Sequence, residues 1–219
     1  MSVIDNSALD EKIKKIIMIR DFLIINCTGK NDSIALKTNN KFFIKKLQTN
    51  LIKNEILALE IANFIKKHNI KLDSNFSIFI NTGPGSFSGV RTSLSIVKGI
   101  ELVKNTNNYG YNNFLLNAAP YLAEKKKIVS IQKIKNLYYC CTGTFEENYF
   151  FTSPKIIDLS KYQESEVLFI VPDEIKNDEI IKNINSKKKR IATFSLKNID
   201  LLIENKLVEN KLIKPIYLS

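Results

Sequence analysis

Glycine is concentrated in one short segment of this chain, and no other segment restricts the possible folds as strongly. Four of the seven glycines lie within residues 81–99, directly after an apolar run typical of a buried strand. Gly83 and Gly85 flank a proline, which favours a rigid turn with permissive backbone on both sides. Ser86 or Ser88 can cap a following helix that extends to about residue 104. We therefore predict a strand end, a glycine loop and a helix start.

Two interpretations of the glycine loop are open from its own chemistry. Backbone N–H groups at such a helix start can bind an anion, and the candidate residues are Gly83, Gly85, Ser86 and Gly89. The alternative is a tight strand-to-helix connection that close packing requires. The spacing matches neither the P-loop nor the dinucleotide-binding pattern, because Gly89 comes one position too late for both.

The helix after the loop carries small residues four positions apart, at Gly89 and Ser93 and again at Ser95 and Gly99. Side chains this small let a second helix approach closely, for a steric reason that is general although best documented in membranes. The same helix has an apolar stripe formed by Val90, Leu94 and Val97. We expect it to pack on both sides, within the fold or against a partner.

Apolar periodicity along the whole chain predicts an α/β protein of two related lobes. The first half is predicted to open with an antiparallel β-meander, followed by a helix over residues 51–68 and a strand before the glycine loop. The second half is predicted to be another α/β unit. Its predicted elements are helices near 113–123, 173–185 and 196–209, and strands near 128–131, 137–144, 149–152, 167–171 and 191–194.

Three segments follow from this organisation. Residues 1–20 are a charged extension, either peripheral or upstream of the true start, since Met18 is a natural first residue. Residues 21–108 form the N-terminal lobe with the glycine loop. Residues 109–219 form a degenerate C-terminal lobe, whose last segment is expected to pack back on the N-terminal lobe.

The formal net charge of +11 has two interpretations. It can reflect contact with an anionic partner such as RNA. It can also reflect a solvated surface in a chain rich in lysine throughout. The lysines are dispersed apart from two runs, at residues 125–127 and 187–190, so direct contact with tRNA is left open.

The cysteines indicate a reducing compartment. There are three, an odd number, and all lie in apolar runs, which favours buried free thiols: Cys27, Cys140 and Cys141. Their spacing predicts no metal site. The apolar runs are too short for a membrane span, and acidic residues interrupt the N-terminus where a signal peptide would lie. We expect a cytoplasmic protein without a membrane partner.

Residues 83–91, Gly-Pro-Gly-Ser-Phe-Ser-Gly-Val-Arg, resemble the GPGSFTGLR signature of the TsaB family of bacterial tRNA threonylcarbamoyladenosine biosynthesis proteins. Ser88 replaces a threonine and Val90 a leucine. Further matches occur in the family's order: residues 22–28 with 33–36 resemble its opening hairpin, 53–55 its HSE, and 215–218 its C-terminal P-x-YL. The resemblance is strong over residues 22–104, thin through the second half, and visible again at the end.

The resemblance implies a two-lobed actin-like, sugar-kinase-like (ASKHA) fold with ribonuclease H-like lobes. It implies a non-catalytic subunit that pairs with TsaD, the subunit that transfers threonylcarbamoyl to the tRNA adenosine beside the anticodon. A TsaE-like ATPase is a further partner, tRNA an indirect one, and a homodimer the alternative assembly when TsaD is absent. The interface would involve the helices over 51–68 and 88–104. Its candidate residues are Lys53, Glu55, Leu59, Phe87, Arg91, Thr92, Ser95 and Gly99.

The residues themselves also argue against catalysis, so we expect no catalytic residue, cofactor or metal. Asn26 stands where the family has aspartate, and it cannot act as a base or match a carboxylate's charge toward Mg²⁺. Only Gly110 and Gly143 follow Gly99, so the second lobe lacks a glycine-rich phosphate loop. His68 is the sole histidine, at a lysine-rich helix end. The alternative function is a phosphate- or nucleotide-binding enzyme of the sugar-kinase-like superfamily that uses the glycine loop.

Overall fold

The computed structural model describes residue 19 and residues 21–29, 31–48, 54–162, 166–210 and 213–218. Its first part contains five strands and two long helices. These elements are β1 (Phe22–Asn26), β2 (Ser33–Thr38), β3 (Lys41–Lys46), α1 (Asn54–Lys67), β4 (Ser77–Asn81), α2 (Phe87–Lys104) and β5 (Asn107–Tyr111).

The second part contains shorter helices and a second set of strands. These are α3 (Asn113–Ala118), β6 (Lys127–Ile134), β7 (Leu137–Phe145), β8 (Tyr149–Phe151), β9 (Lys155–Ile156), β10 (Val167–Pro172), α4 (Glu179–Lys182), β11 (Lys189–Ala192) and α5 (Ile199–Glu204). Short 3₁₀ turns connect them at Ala119–Glu124, Leu159–Lys161, Asp173–Ile175, Ser186–Lys188 and Leu196–Asn198.

The strands form two mixed sheets. The first has the order β3-β2-β1-β4-β5, in which β1, β2 and β3 pair antiparallel and β4 and β5 run parallel to β1. This confirms the predicted β-meander. The second has the order β11-β10-β6-β7-β8, with β6, β10 and β11 parallel and β7 and β8 antiparallel. Strand β9 also pairs with β7.

Side chains along β1 and β4 point alternately to the two faces of the first sheet, so the core forms one layer on each side of it. Phe22, Ile24 and Phe79 point to one face and join a cluster that includes Ile128 and other residues of the second part. Their neighbours in sequence point to the opposite face and pack with buried residues of α1 and α2. Successive side chains of a strand point to opposite faces, so both faces of these strands are apolar. Helices α1 and α2 therefore cover the outer face of the first sheet.

The long elements match the predictions, whereas the second-half helices are shorter than predicted. The helix expected over 173–185 is a 3₁₀ turn followed by the four-residue α4. Asparagine and aspartate at 177, 178, 183 and 185 favour turns over helix interiors. The helix expected over 196–209 is a 3₁₀ turn and α5, ended by Lys206 with a positive φ of 56°. The last strand spans Lys189–Ala192 instead of 191–194.

Some predictions concern residues that the structure does not describe. The extension over residues 1–20 lies outside the described residues except for Ile19, which packs against the core between the sheets. The first residues of the helix predicted from position 51 also lie outside them. None of the described helices is long and apolar enough to cross a membrane.

Candidate functional site

The glycine loop between β4 and α2 packs tightly against the loop that follows β1. The Ser86 N–H donates to the Thr28 carbonyl oxygen over 2.7 Å. A Cβ added at Gly85 would overlap that same oxygen, and a Cβ added at Gly89 would overlap the Cys27 carbonyl oxygen. The two glycines are therefore required because two backbone segments approach more closely than any side chain allows. This geometry favours the interpretation of the loop as a tight strand-to-helix connection over its interpretation as an anion-binding site.

The N–H groups proposed for an anion site are mostly engaged with protein acceptors. Gly83 N–H donates to Asn81 Oδ1 over 2.9 Å, and Gly89 N–H donates to the capping Ser86 Oγ over 3.2 Å. The Ser86 N–H donates to the Thr28 carbonyl oxygen. Three of the four candidate residues thus have backbone donors that already have acceptors within the chain. An anion would have to displace these bonds, which costs about 1 kcal/mol or more for each.

A cluster of three asparagines lies beside the loop, where the carboxyl ends of β1 and β4 meet the start of α3. Asn81 Nδ2 lies 2.8 Å from Asn26 Oδ1 and 2.7 Å from Asn113 Oδ1. Asn26 in turn donates to the Asn31 carbonyl oxygen over 2.9 Å. Asn26 and Asn81 are fully buried. These amides satisfy one another, so the position where the resembling family has a carboxylate is filled by a neutral structural network.

The cleft beside this cluster lies between the two sheets. It is lined by residues of the first part such as Thr28 and Gly85, and by Lys133, Glu174 and Phe194 of the second. Its volume is about 90 Å³, against roughly 300–1,000 Å³ for sites that bury a small organic molecule. Glu174 is the one carboxylate among the lining residues. The cleft in this form is therefore smaller than such sites usually are.

The outward side of α2 presents a ridge with a four-residue repeat. We call it the α2 ridge, and its members are all exposed: Phe87, Arg91, Ser95, Gly99 and Val103. The Arg91 guanidinium lies 4.7 Å from the Phe87 ring centroid. Phe87 is 53% exposed and Val103 74%, and Leu102 beside the ridge is 83% exposed. Ridges of this spacing pack into the grooves of a second helix.

The structure places only some of the predicted interface residues on an exposed surface. Phe87, Arg91, Ser95 and Gly99 lie together on the α2 ridge, and a Cβ at Gly99 would meet nothing within 4 Å. Leu59 on α1 is 60% exposed. Thr92 is only 7% exposed and faces the interior, so it offers little surface to a partner. Lys53 and the side chain of Glu55 lie outside the described residues.

Two apolar residues of this surface, Leu102 and Val103, are absent from the sequence-based candidates. Continuing the four-residue spacing from Gly99 reaches Val103 directly, so the sequence did contain the signal. Thr92 follows the buried Gly89 by three positions, a spacing that places both residues on the inner side of the helix.

The sole histidine lies away from the glycine loop. The His68 ring packs 4.3 Å from the Phe43 ring centroid and 4.8 Å from that of Phe64. These contacts place it between the end of α1 and the edge strand β3. The structure thus gives His68 a packing role.

Asp32, in the loop after β1, is a buried carboxyl group that is only partly satisfied. Oδ1 accepts the Gly29 N–H over 2.7 Å, whereas Oδ2 has no hydrogen-bond partner among the described residues. Burial raises the pKa of Asp32, and the Gly29 hydrogen bond only partly offsets this. The native state therefore holds a proton at Asp32 to higher pH than the unfolded chain does.

We expect Asp32→Asn to stabilise the chain by about 1 kcal/mol at pH 7, because the amide keeps an acceptor for Gly29 and carries no buried charge. A raised native pKa makes wild-type stability fall as pH rises above the unfolded value of about 3.8. Asparagine does not titrate, so its advantage should grow with pH. Urea unfolding of both proteins at acidic and neutral pH measures this, and an equal difference at both would contradict it.

The three cysteines are free and buried, which confirms the predicted thiols. Burial raises the pKa of Cys27 and of Cys141 to about 12, and it also raises the pKa of Cys140. Since the thiolate is the reactive form, we expect a disulfide reagent at pH 8 to modify the native chain at least about a hundredfold more slowly than the denatured chain. A stopped-flow absorbance assay with and without guanidinium measures both rates. One rapidly reacting thiol in the native chain would be inconsistent with this burial.

Together these features define an α/β protein of two mixed sheets with helices, consistent with the two-lobed actin-like fold with ribonuclease H-like lobes that the sequence resemblance implies. The solved structures narrow this to one fold: the chain has the fold of YeaZ from Pseudomonas aeruginosa, with a TM-score of 0.60 at 14% identity over 90% of this chain and 99% of that one. A second structure is described as an uncharacterized protein with similarity to peptidase YeaZ from Pseudomonas aeruginosa. It matches with a TM-score of 0.63 at 14% identity over 91% of this chain and 99% of its own. Neither a family model nor a curated protein sequence matches the chain.

Proposed function

We propose that this chain is a non-catalytic subunit that pairs with a TsaD-like catalytic subunit in the synthesis of threonylcarbamoyladenosine in tRNA. The YeaZ fold supports this, because YeaZ is also called TsaB, and residues 83–91 resemble the TsaB signature. The observation that carries the proposal is the α2 ridge: a row of exposed small and apolar side chains on a long helix of this fold.

The chemistry of the α2 ridge suits a helical partner. Phe87 and Val103 give apolar ends, and Ser95 and Gly99 form a shallow middle where a second backbone can approach closely. Arg91 lies against Phe87, where it can pair with a carboxylate of the partner at the rim of the interface. Leu59 on α1 is a further exposed apolar side chain of the same helical layer. A surface of this kind gains free energy when a partner removes it from water.

The glycine loop supports a non-catalytic role. Its close contacts with Thr28 and Cys27 fix the direction in which α2 leaves the sheet. Three of its four candidate backbone donors have acceptors within the chain, and neutral amides lie beside the neighbouring cleft. Phosphoryl transfer needs positioned phosphates and carboxylates that hold Mg²⁺. These residues are arranged for packing instead.

Complex formation with the TsaD homologue of the same organism tests the proposal directly. We expect the two purified proteins to elute together in size-exclusion chromatography at micromolar concentration. In a reconstituted system with a TsaE-like ATPase and tRNA, we expect threonylcarbamoyladenosine synthesis to require this chain. If no complex forms, or synthesis is unchanged without the chain, the proposal is wrong. A homodimer through the α2 ridge, when TsaD is absent, should dissociate as TsaD is added.

Calorimetry separates this function from the alternative of a nucleotide-binding enzyme. The isolated chain is titrated with ATP and Mg²⁺. A non-catalytic subunit should give no heat of specific binding, whereas micromolar binding would favour the enzyme and overturn the proposal. If the chain has this subunit role, we expect it in the cytoplasm, where the tRNA substrate of the complex is found.

A further inference from the structure

Two lysine-rich runs that are far apart in sequence meet at one edge of the second sheet. Lys127 begins β6 and Lys189 begins β11, and both strands run parallel to β10, which lies between them. Parallel strands start at the same edge of a sheet, so the two runs are brought to the same side. Phe169 of β10 is paired with Val129 on one side and with Lys189 on the other. Val129 and Lys189 are thus about 10 Å apart across the sheet, and Lys127, which begins β6 two residues earlier, lies about 12 Å from Lys189.

Direct contacts hold the two runs together. The Arg190 guanidinium lies against the Glu124 carboxylate, with Nε 3.3 Å from Oε1 and Nη2 3.4 Å from Oε2. The Tyr121 hydroxyl donates to the Ile191 carbonyl oxygen over 2.9 Å. Both bonds join the segment before β6 to β11. The relative position of the two runs is therefore fixed by the fold.

We call this surface the basic edge. Its basic members are Lys125, Lys126, Lys127, Lys187, Lys188, Lys189 and Arg190. Among the residues that the structure describes, the acidic ones next to these runs along the chain or on the paired strands are Glu124, Glu146, Glu147 and Glu166. Seven basic side chains therefore stand against four acidic ones, and Glu124 is already engaged with Arg190 and lies 3.8 Å from Lys126. The excess of positive charge lies mainly on Lys125, Lys126 and Lys187, which are exposed to solvent.

We propose that the basic edge is a docking surface for the phosphate backbone of RNA. Lysines at the ends of neighbouring strands can neutralise several phosphates at once, and each neutralised phosphate releases counterions. Membrane surfaces are usually bound by an amphipathic helix with an apolar face, whereas this edge consists of strand starts and 3₁₀ turns. The net charge of +11 adds long-range attraction of the same sign. The choice of tRNA as the ligand rests on the proposed function; the basic edge itself does not.

Fluorescence anisotropy of a labelled, unmodified tRNA transcript tests the inference with the full chain alone, between ~50 and ~200 mM salt. The test variant is Lys125→Gln/Lys126→Gln/Lys187→Gln. The matched control, Lys41→Gln/Lys46→Gln/Lys66→Gln, removes the same charge from exposed positions on β3 and α1. We expect the test variant to bind roughly tenfold more weakly, with a salt slope reduced by about 3. The control should stay within about twofold of the wild-type chain.

Single Lys→Gln variants at the same three positions give a second readout, each lowering the salt slope by about 1. Equal losses in the test and control variants would overturn the inference, because they would indicate diffuse attraction only. The inference would also be overturned if the wild-type protein did not bind the transcript. It would be overturned as well if the test variant lost binding to phosphatidylserine vesicles but not to RNA. The assay contains no TsaD. A chain that pairs with TsaD but binds RNA independently of the basic edge would refute this inference alone. A chain that binds RNA through the basic edge but does not pair with TsaD would refute the proposed function alone.

Discussion

Gly99→Arg is expected to leave the chain folded but to weaken its complex with a TsaD-like subunit at least about a hundredfold. Gly99 lies beside Ser95 in the shallow middle of the α2 ridge, and a Cβ there meets nothing within 4 Å, so the isolated chain has room for the new side chain. In a complex, a helix that packs against Ser95 and Gly99 would collide with it and would have to bury its charge. Calorimetric titration with TsaD, together with thermal unfolding of the chain alone, measures both effects.

Gly99→Ala is the matched control for this experiment. Alanine is the better helix former, so we expect the isolated chain to gain about 0.5–1 kcal/mol of stability. Its single methyl group should weaken the complex far less than arginine does. If the arginine variant binds TsaD as tightly as the wild-type chain, the α2 ridge is not the interface. If it unfolds, the helix surface at Gly99 does not have room for the new side chain.

Gly89→Ala should destabilise the fold by about 3 kcal/mol or more. The added Cβ would overlap the Cys27 carbonyl oxygen at the end of β1, and this backbone cannot move without disturbing a fully buried strand. A loss of this size raises the unfolded population more than a hundredfold and is a large part of a typical domain's 5–15 kcal/mol. Denaturant unfolding of the two alanine variants, at 89 and at 99, compares a closed site with an open one on the same helix.

The same comparison decides between the two interpretations of the glycine loop. If the loop is a packing device, Gly89→Ala lowers stability whether or not any anion is present. An anion cradle would instead lose ligand affinity at little cost in stability. A Gly89→Ala chain as stable as wild type would contradict the packing interpretation, because the overlap with Cys27 would then not exist.

The sequence was sufficient for the first half of the fold because its signals there are local and strong. Apolar runs bounded by turns predicted the strands of the meander, and helical spacing predicted α1 and α2. The role of the glycine loop was not decidable in the same way. Glycine suits both a phosphate cradle and a close backbone contact, and the deciding atoms are the carbonyl oxygens of Cys27 and Thr28, which lie more than fifty residues earlier.

Other features depend on contacts between distant parts of the chain. The basic edge requires the order β11-β10-β6 in the second sheet, which periodicity does not specify. The asparagine cluster requires Asn26, Asn81 and Asn113 to meet at the ends of three elements. The short helices of the second half were overpredicted because apolar spacing continued through asparagines that favour turns. The sequence thus predicted the individual helices and strands better than the contacts between them.

The contacts of residues 213–218 have a consequence for the order in which parts of the structure form during translation. The Ile216 N–H donates to the Thr82 carbonyl oxygen over 2.8 Å, and the Tyr217 ring lies 4.9 Å from the ring of Phe87. These partners leave the ribosome more than a hundred residues after the glycine loop, which at cellular elongation rates is a delay of roughly ten seconds. During that interval the first turn of α2 lacks its aromatic neighbour. The surface proposed to meet TsaD is therefore completed only after residues 213–218 have been made.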